Sequence, residues 1–151
     1  MVCIPEVFEM NPERESFNEK VVLPFETSVE LFVKREDVLH SEISGNKFRK
    51  LKYNLQEAKR LGFAKLLTFG GAYSNHIAAV AAAGKAFGFE TIGIIRGDEL
   101  VAKFMGNETL KLAFENGMRF EFVSRTAYRN KTSEDFLEQL KLKFGNFYLI
   151  P

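Results

Sequence analysis

From residue 65 onward the chain alternates between short aliphatic runs and longer stretches of helical periodicity, and this alternation limits the fold more than any other feature. Lys65-Leu66-Leu67-Thr68-Phe69 has the pattern of a buried strand, and Gly70-Gly71 then turns the chain into an alanine-rich helix over about 75–87. Thr91-Ile92-Gly93-Ile94-Ile95 is the next strand. Asn107 can cap a helix that buries Leu110, Ala113 and Phe114 and stops at Gly117. Residues 119–123 make a third strand. Thr132 or Ser133 caps a helix with Phe136, Leu137, Leu140 and Phe144 inward, closed by Gly145, and residues 147–150 make a fourth strand. Strands and helices alternating at this spacing predict an α/β fold, with βαβ units laid on a parallel sheet in three layers.

The first 64 residues are less regular. Pro5, Pro12 and Pro24 interrupt residues 1–28, which read as an extended, wrapping segment. Residues 29–34 alternate well enough for a strand, and Ser44-Gly45-Asn46 is a turn and helix-start signal. The helix that follows carries an apolar stripe at Phe48, Leu51, Leu55, Ala58 and Leu61 and is stopped by Gly62. At the other end, Pro151 follows an apolar strand directly, with no helix to cover it. Parallel sheets are normally covered on both faces, so the expectation is a truncated chain, or one completed by another chain, for which a homodimer is the expected form.

Bulk properties narrow the class. The 151 residues, 46% hydrophobic and 27% charged, suffice for one domain with a sizeable core. A formal charge of +1 gives no electrostatic reason to expect nucleic acid or a membrane as partner. Cys3 is the single cysteine, so no internal disulfide can form, which suits a reducing, cytoplasmic setting. Glu6, Glu9, Glu13 and Glu15 break up any apolar leader, and residues 77–87 are too short to span a bilayer. No cysteine–histidine cluster has metal-ligand spacing, so no metal is expected. The sixteen phenylalanines, with no tryptophan, are read as core filling.

Lys47 breaks a local rule. Helix N-termini favour acidic residues, yet the first turns here carry Lys47, Arg49, Lys50 and Lys52. Lys47 shares a face with Leu51, Leu55 and Ala58, at spacings of four, eight and eleven, which turns it inward, while Arg49 lies opposite. Nearby positive charge and partial burial would lower an amine pKa from its ordinary ~10.4 and suit a Schiff-base lysine. A solvated basic face on a surface helix accounts for the same residues.

A second candidate is Gly70-Gly71-Ala72-Tyr73-Ser74-Asn75-His76, running from a buried strand into a helix. Paired glycines admit a ligand close to the backbone, and free N–H groups at a helix start attract anions, so a carboxylate or phosphate would suit it. Simple capping by Ser74 or Asn75 is the plainer reading. The turn matches neither a Walker loop nor a dinucleotide fingerprint.

Taken together, the two segments are more specific. Lys34-Arg35-Glu36-Asp37, followed by Ser44-Gly45-Asn46-Lys47-Phe48-Arg49-Lys50-Leu51, resembles the Arg-Glu-Asp and Gly-Asn-Lys-x-Arg-Lys-Leu signature of the 1-aminocyclopropane-1-carboxylate deaminase / D-cysteine desulfhydrase family. Residues 70–76 are similar to that family's Gly-x-x-Ser-Asn-His/Gln turn, and the spacing between the segments agrees. The resemblance extends over nearly the whole chain but over only about half of a family member.

The resemblance implies a fold-type II (tryptophan-synthase β-like) enzyme with two α/β domains and pyridoxal 5'-phosphate between them. Residues 1–50 would belong to the large cofactor domain and 51–151 to the small domain, with the C-terminal half of the large domain absent. Lys47 would carry the cofactor and move protons at the substrate α-carbon. Asn75 would hydrogen-bond the cofactor's 3-oxygen, Ser74 would bind the substrate carboxylate or assist attack, and the backbone at Asn75 and His76 would help hold that carboxylate. The implied activity is release of ammonia and a 2-oxo acid from a small amino acid, 1-aminocyclopropane-1-carboxylate or D-cysteine. Tyr73 stands where many relatives have glutamine, which leaves the substrate open. A catalytically silent α/β domain without a complete cofactor site is the alternative, and a flavodoxin-like nucleotide module ranks below both.

Overall fold

The computed structural model describes residues 10–151, so Cys3, Pro5, Glu6 and Glu9 lie outside the described residues. Two short antiparallel strands, β1 (Asn18–Val21) and β2 (Leu31–Lys34), precede α1 (Asn46–Arg60). The α/β unit follows: β3 (Lys65–Gly70), α2 (Asn75–Phe87), β4 (Glu90–Arg96), α3 (Glu108–Glu115), β5 (Arg119–Val123), α4 (Arg125–Arg129), α5 (Glu134–Phe144) and β6 (Tyr148–Ile150).

The four later strands form one parallel sheet in the order β5-β4-β3-β6. The chain winds outward from β3 through β4 to β5, then crosses back to place β6 on the other side of β3. The order therefore reverses between β3 and β6, and in open sheets of this kind ligands bind beyond the strand carboxyl ends at such a reversal. The turn after β3, residues 71–74, stands at that place.

Alternate residues of the strands feed two cores. Leu66, Ile95 and Met118 join Leu51 and Leu55 of α1, Ile77 and Val80 of α2, and Leu110 of α3. Leu67, Ile92 and Ile94 meet Leu140 and Phe144 of α5 on the opposite face. The result is three layers, α1–α3, sheet and α5, as the alternation predicts. Each buried Leu, Ile or Val contributes about 1.5–3 kcal/mol relative to exposure. Helix α1 runs unbroken across residues 50 and 51, and its Phe48 and Leu51 share a core with Met10, Leu39 and Ile43.

Four local expectations change. Phe114 is 49% exposed, because α3 buries Leu110 and Ala113 while the Phe114 ring lies edge-on to Phe104 on the rim. Leu61, the last residue of the α1 stripe, is also half-exposed, since the helix has ended at Arg60. Helix α4, capped by Ser124, has too few residues to show periodicity and was not anticipated. All four residues of β2 are exposed, so its alternation does not mark a buried face.

Candidate active site

The first turn of α1 is tied to the segment around Glu36 by one ion pair and one backbone hydrogen bond. Gly45, at φ 63°, takes a backbone conformation that side chains disfavour, and its N–H donates to the Glu36 carbonyl at 3.2 Å. The Glu36 carboxylate accepts from Arg49 Nε at 2.8 Å and Nη2 at 3.2 Å, which holds it below the usual carboxylate range. Arg35 grips Asp37 through Nε at 2.9 Å and Nη2 at 2.7 Å, and also pairs with Glu19. The two parts of the first motif are thus joined in space, and together they fix where α1 begins.

Lys47 sits half-buried in that first turn. Its Nζ donates to Asn46 Oδ1 at 2.8 Å, and no carboxylate among the described residues pairs with it. Arg49 points the other way and is exposed, as the helical spacing predicts.

The second motif owes its first glycine to packing. A Cβ on Gly70 would lie 2.3 Å from Ile77 Cγ1 and 3.0 Å from Ser74 Oγ, so no side chain fits between strand and helix there. Gly71 is different: a Cβ would meet only Arg96 Nη2, at 3.9 Å. Ser74 caps α2, its Oγ accepting from the Ile77 N–H at 3.4 Å, which leaves the hydroxyl proton free to donate elsewhere. The N–H groups of Asn75 and His76 have no acceptor among the described residues, as expected for the first turn of a helix. The Asn75 side chain is exposed.

His76 is turned back toward the sheet. Its Nε2 is 2.9 Å from Thr68 Oγ1, and Thr68 donates its single proton to the Ile150 carbonyl at 3.1 Å. With that proton committed, Thr68 can only accept from His76, which places the imidazole hydrogen on Nε2 and a lone pair on Nδ1. Burial lowers the His76 pKa to about 4, helped by the charges of Lys47 and Lys50. The imidazole is therefore neutral near pH 7, and it lies within the field of the Lys47 ammonium.

Two open cavities flank the start of α2. One, of about 450 Å³, is bounded by Gly71, Tyr73, Ser74, Arg96, Glu99 and Arg125. The other, of about 430 Å³, is bounded by Ser41, Glu42, Ser44, Asn75 and Glu108. The structure thus brings Lys47 into the electrostatic surroundings of His76, and it sends the side chains of Ser74 and Asn75 to different cavities. Lys47 lines neither of the two. Sequence reading missed Arg96 and Arg125, although both stand where an apolar strand gives way to charge, the position at which open sheets place ligand groups. Among the described residues no group of three His, Cys, Asp or Glu side chains could hold a metal ion, and no helix is long and apolar enough to cross a membrane.

No family model matches the chain. A protein of Pyrococcus abyssi named "Putative 1-aminocyclopropane-1-carboxylate deaminase" is 34% identical over 132 residues, 83% of this chain and 37% of that protein. The Arabidopsis thaliana protein named bifunctional D-cysteine desulfhydrase/1-aminocyclopropane-1-carboxylate deaminase is 32% identical over 130 residues, 81% of this chain and 32% of that protein. A crystal structure of an ACC deaminase homologue superposes with a TM-score of 0.63 at 30% identity, covering 81% of this chain and 37% of that one. The chain spans less than half the length of these relatives. In sequence and in fold the chain is thus similar to proteins of the 1-aminocyclopropane-1-carboxylate deaminase / D-cysteine desulfhydrase family.

Proposed function

We propose that this chain supplies the lysine-bearing part of a pyridoxal-phosphate enzyme that releases ammonia from a small amino acid, D-cysteine or 1-aminocyclopropane-1-carboxylate. One observation carries the reading: the Ser-Asn-His turn opens α2 beside the point where the sheet order reverses, and the chain also presents a half-buried lysine, Lys47, with no carboxylate partner among the described residues. The residues fit one end of the cofactor. Lys47 offers an amine with no carboxylate partner among the described residues, Asn75 an exposed amide, and the start of α2 two free N–H groups.

When bound, pyridoxal phosphate supplies an electron sink for negative charge at the substrate α-carbon. The resemblance of the two motifs suggests the protein's own contributions. Lys47 Nζ would hold the cofactor at its carbonyl carbon and would move a proton at the substrate α-carbon. The Asn75 amide would donate to the cofactor's 3-oxygen. The Ser74 hydroxyl, with the N–H groups of Asn75 and His76, binds and orients the substrate carboxylate. His76, locked neutral on Thr68, shapes that site without exchanging protons near pH 7. D-Cysteine presents an α-proton for removal. 1-Aminocyclopropane-1-carboxylate has none, so its ring opening needs a further base or nucleophile.

A second reading is a catalytically silent α/β domain without a complete cofactor site. Incubating the purified chain and pyridoxal phosphate with each amino acid, and measuring ammonia and 2-oxo acid, separates the two. Product formation that is lost in Lys47→Ala supports the first. No product, with cofactor still captured on Lys47, supports the second. Product formation unaffected by Lys47→Ala contradicts both.

A further inference from the structure

The cavity beside the Gly71–Ser74 turn has a feature that the proposed reaction leaves unused. Three strands of the parallel sheet deliver its wall: β3 ends at Gly70, β4 ends at Arg96, and β5 leads through Ser124 to Arg125. Arg125 Nη2 donates to Glu99 Oε1 at 2.9 Å, so those two charges satisfy each other. Asp98, next in the chain, hydrogen-bonds to Glu99 and is not part of the wall. Arg96 has no carboxylate partner among the described residues. The lining therefore carries one positive charge in excess, and that charge is on Arg96.

The guanidinium is held in place without being neutralised. It lies 5.9 Å from the Tyr128 ring centroid, and Tyr128 is itself fixed edge-on to Phe69 at 6.1 Å. An aromatic face orients a guanidinium while leaving its N–H edge available to an anion. Lys131 stands over the same ring at 5.0 Å and adds to the local positive potential. Arg96 Nη2 comes within 3.9 Å of the position a Gly71 Cβ would take, so the open side of the glycine turn faces this group. Ser74, with its free hydroxyl proton, is on the same wall.

The geometry points to an oxyanion site in this cavity, in which Arg96 receives a second carboxylate or phosphate group of the ligand while the Ser74 hydroxyl stays with the α-carboxylate. As a statement about substrate class this rests on the proposed function, and it makes Arg96 a specificity-determining residue. Amino acids bearing a second negative group would be favoured. The cavity, about 450 Å³, is large enough for such a ligand.

Amide NMR titrations of the intact chain test the site without any cofactor or turnover, so their outcome is separate from that of the Lys47 assays. The probes are inorganic phosphate, D-serine and O-phospho-D-serine, followed at the amides of residues 71–74 and at Arg96 Nε. O-phospho-D-serine is expected to bind at least about tenfold more tightly than D-serine, with Arg96→Gln removing the difference and Arg96→Lys retaining part of it. Equal binding of D-serine and O-phospho-D-serine, both weakened about tenfold by Arg96→Gln, would overturn the specificity role, since Arg96 would then act on the α-carboxylate that all amino acids share. Tight binding of phosphate alone, with the same Arg96 dependence, would show that the group is recognised without an amino acid attached. The inference is overturned if Arg96→Gln keeps its dispersed spectrum and its affinities within twofold. It is equally overturned if removal of a distant cation, Arg60→Gln, lowers them as much.

Discussion

His76 Nε2 donates to Thr68 Oγ1 across 2.9 Å, and Thr68 passes its own proton to the carbonyl of Ile150. The first turn of α2 is thereby tied through one buried hydroxyl to β6, across the point where the strand order reverses. A histidine in the field of Lys47 is held as a neutral donor toward the sheet.

This arrangement makes stability depend on pH in a defined window. The folded-state pKa, about 4, lies below the ordinary value of 6.5, so between these values the unfolded chain binds more protons than the folded one. Stability is expected to be unaffected by this group above pH 6.5 and to fall as the pH drops from 6.5 toward 4. The slope has an upper limit of about 1.4 kcal/mol per pH unit, reduced because the ring is only partly buried. Urea unfolding at pH 7 and pH 5 measures the loss, and His76→Gln should diminish it.

The charge of Lys47 contributes to that depression, second to burial. Lys47→Met is therefore expected to raise the His76 pKa part of the way toward 6.5. Proton NMR titration of the ring reads the change directly. An unaltered His76 midpoint in the Lys47 variant would mean that the two side chains do not share a site.

Gly70→Ala should destabilise the fold by about 1–3 kcal/mol, because the added methyl would sit 2.3 Å from Ile77 Cγ1. Removing the clashing Cγ1 in Gly70→Ala/Ile77→Ala should leave the double variant less destabilised than the sum of the two single variants. Thermal unfolding of the single and double variants checks both expectations.

Ser74 does two things that substitutions can separate. Ser74→Ala removes the α2 cap, at a cost of about 1 kcal/mol, whereas Ser74→Gly should cost only a few tenths. If Ser74 also binds a ligand carboxylate, both variants lose affinity to a similar extent despite their different stabilities. Calorimetric unfolding and amino-acid titrations, run on the same two variants, give the comparison.

How much of this was legible in the sequence depends on the kind of information a residue carries. The elements from β3 to β6 were readable because burial on a parallel sheet selects apolar runs and 3.6-residue stripes, as Leu66, Leu67, Leu140 and Phe144 show. The cap at Asn107 was readable, and those at Ser74 and Ser133 to within one neighbouring residue, Asn75 and Thr132, because capping needs a short polar side chain. Helix α4 was not, since five residues span little more than one turn. At the site, Lys47 stood out by violating the charge preference of a helix start. The pairing of Glu36 with Arg49, 13 residues apart, needed the fold to bring the motif's two parts together. Arg96 was illegible for a related reason: its lack of a counter-ion is a property of its neighbours in space.

The central claim is that Lys47 is the group that captures pyridoxal phosphate. Borohydride reduction of the chain with a slight excess of pyridoxal phosphate, followed by peptide mass analysis, tests it most directly. The account predicts one predominant modified peptide, containing Lys47, and its loss in Lys47→Ala with the fold retained. Label spread evenly over exposed lysines such as Lys50 and Lys59, or unchanged total capture in Lys47→Ala, would contradict it.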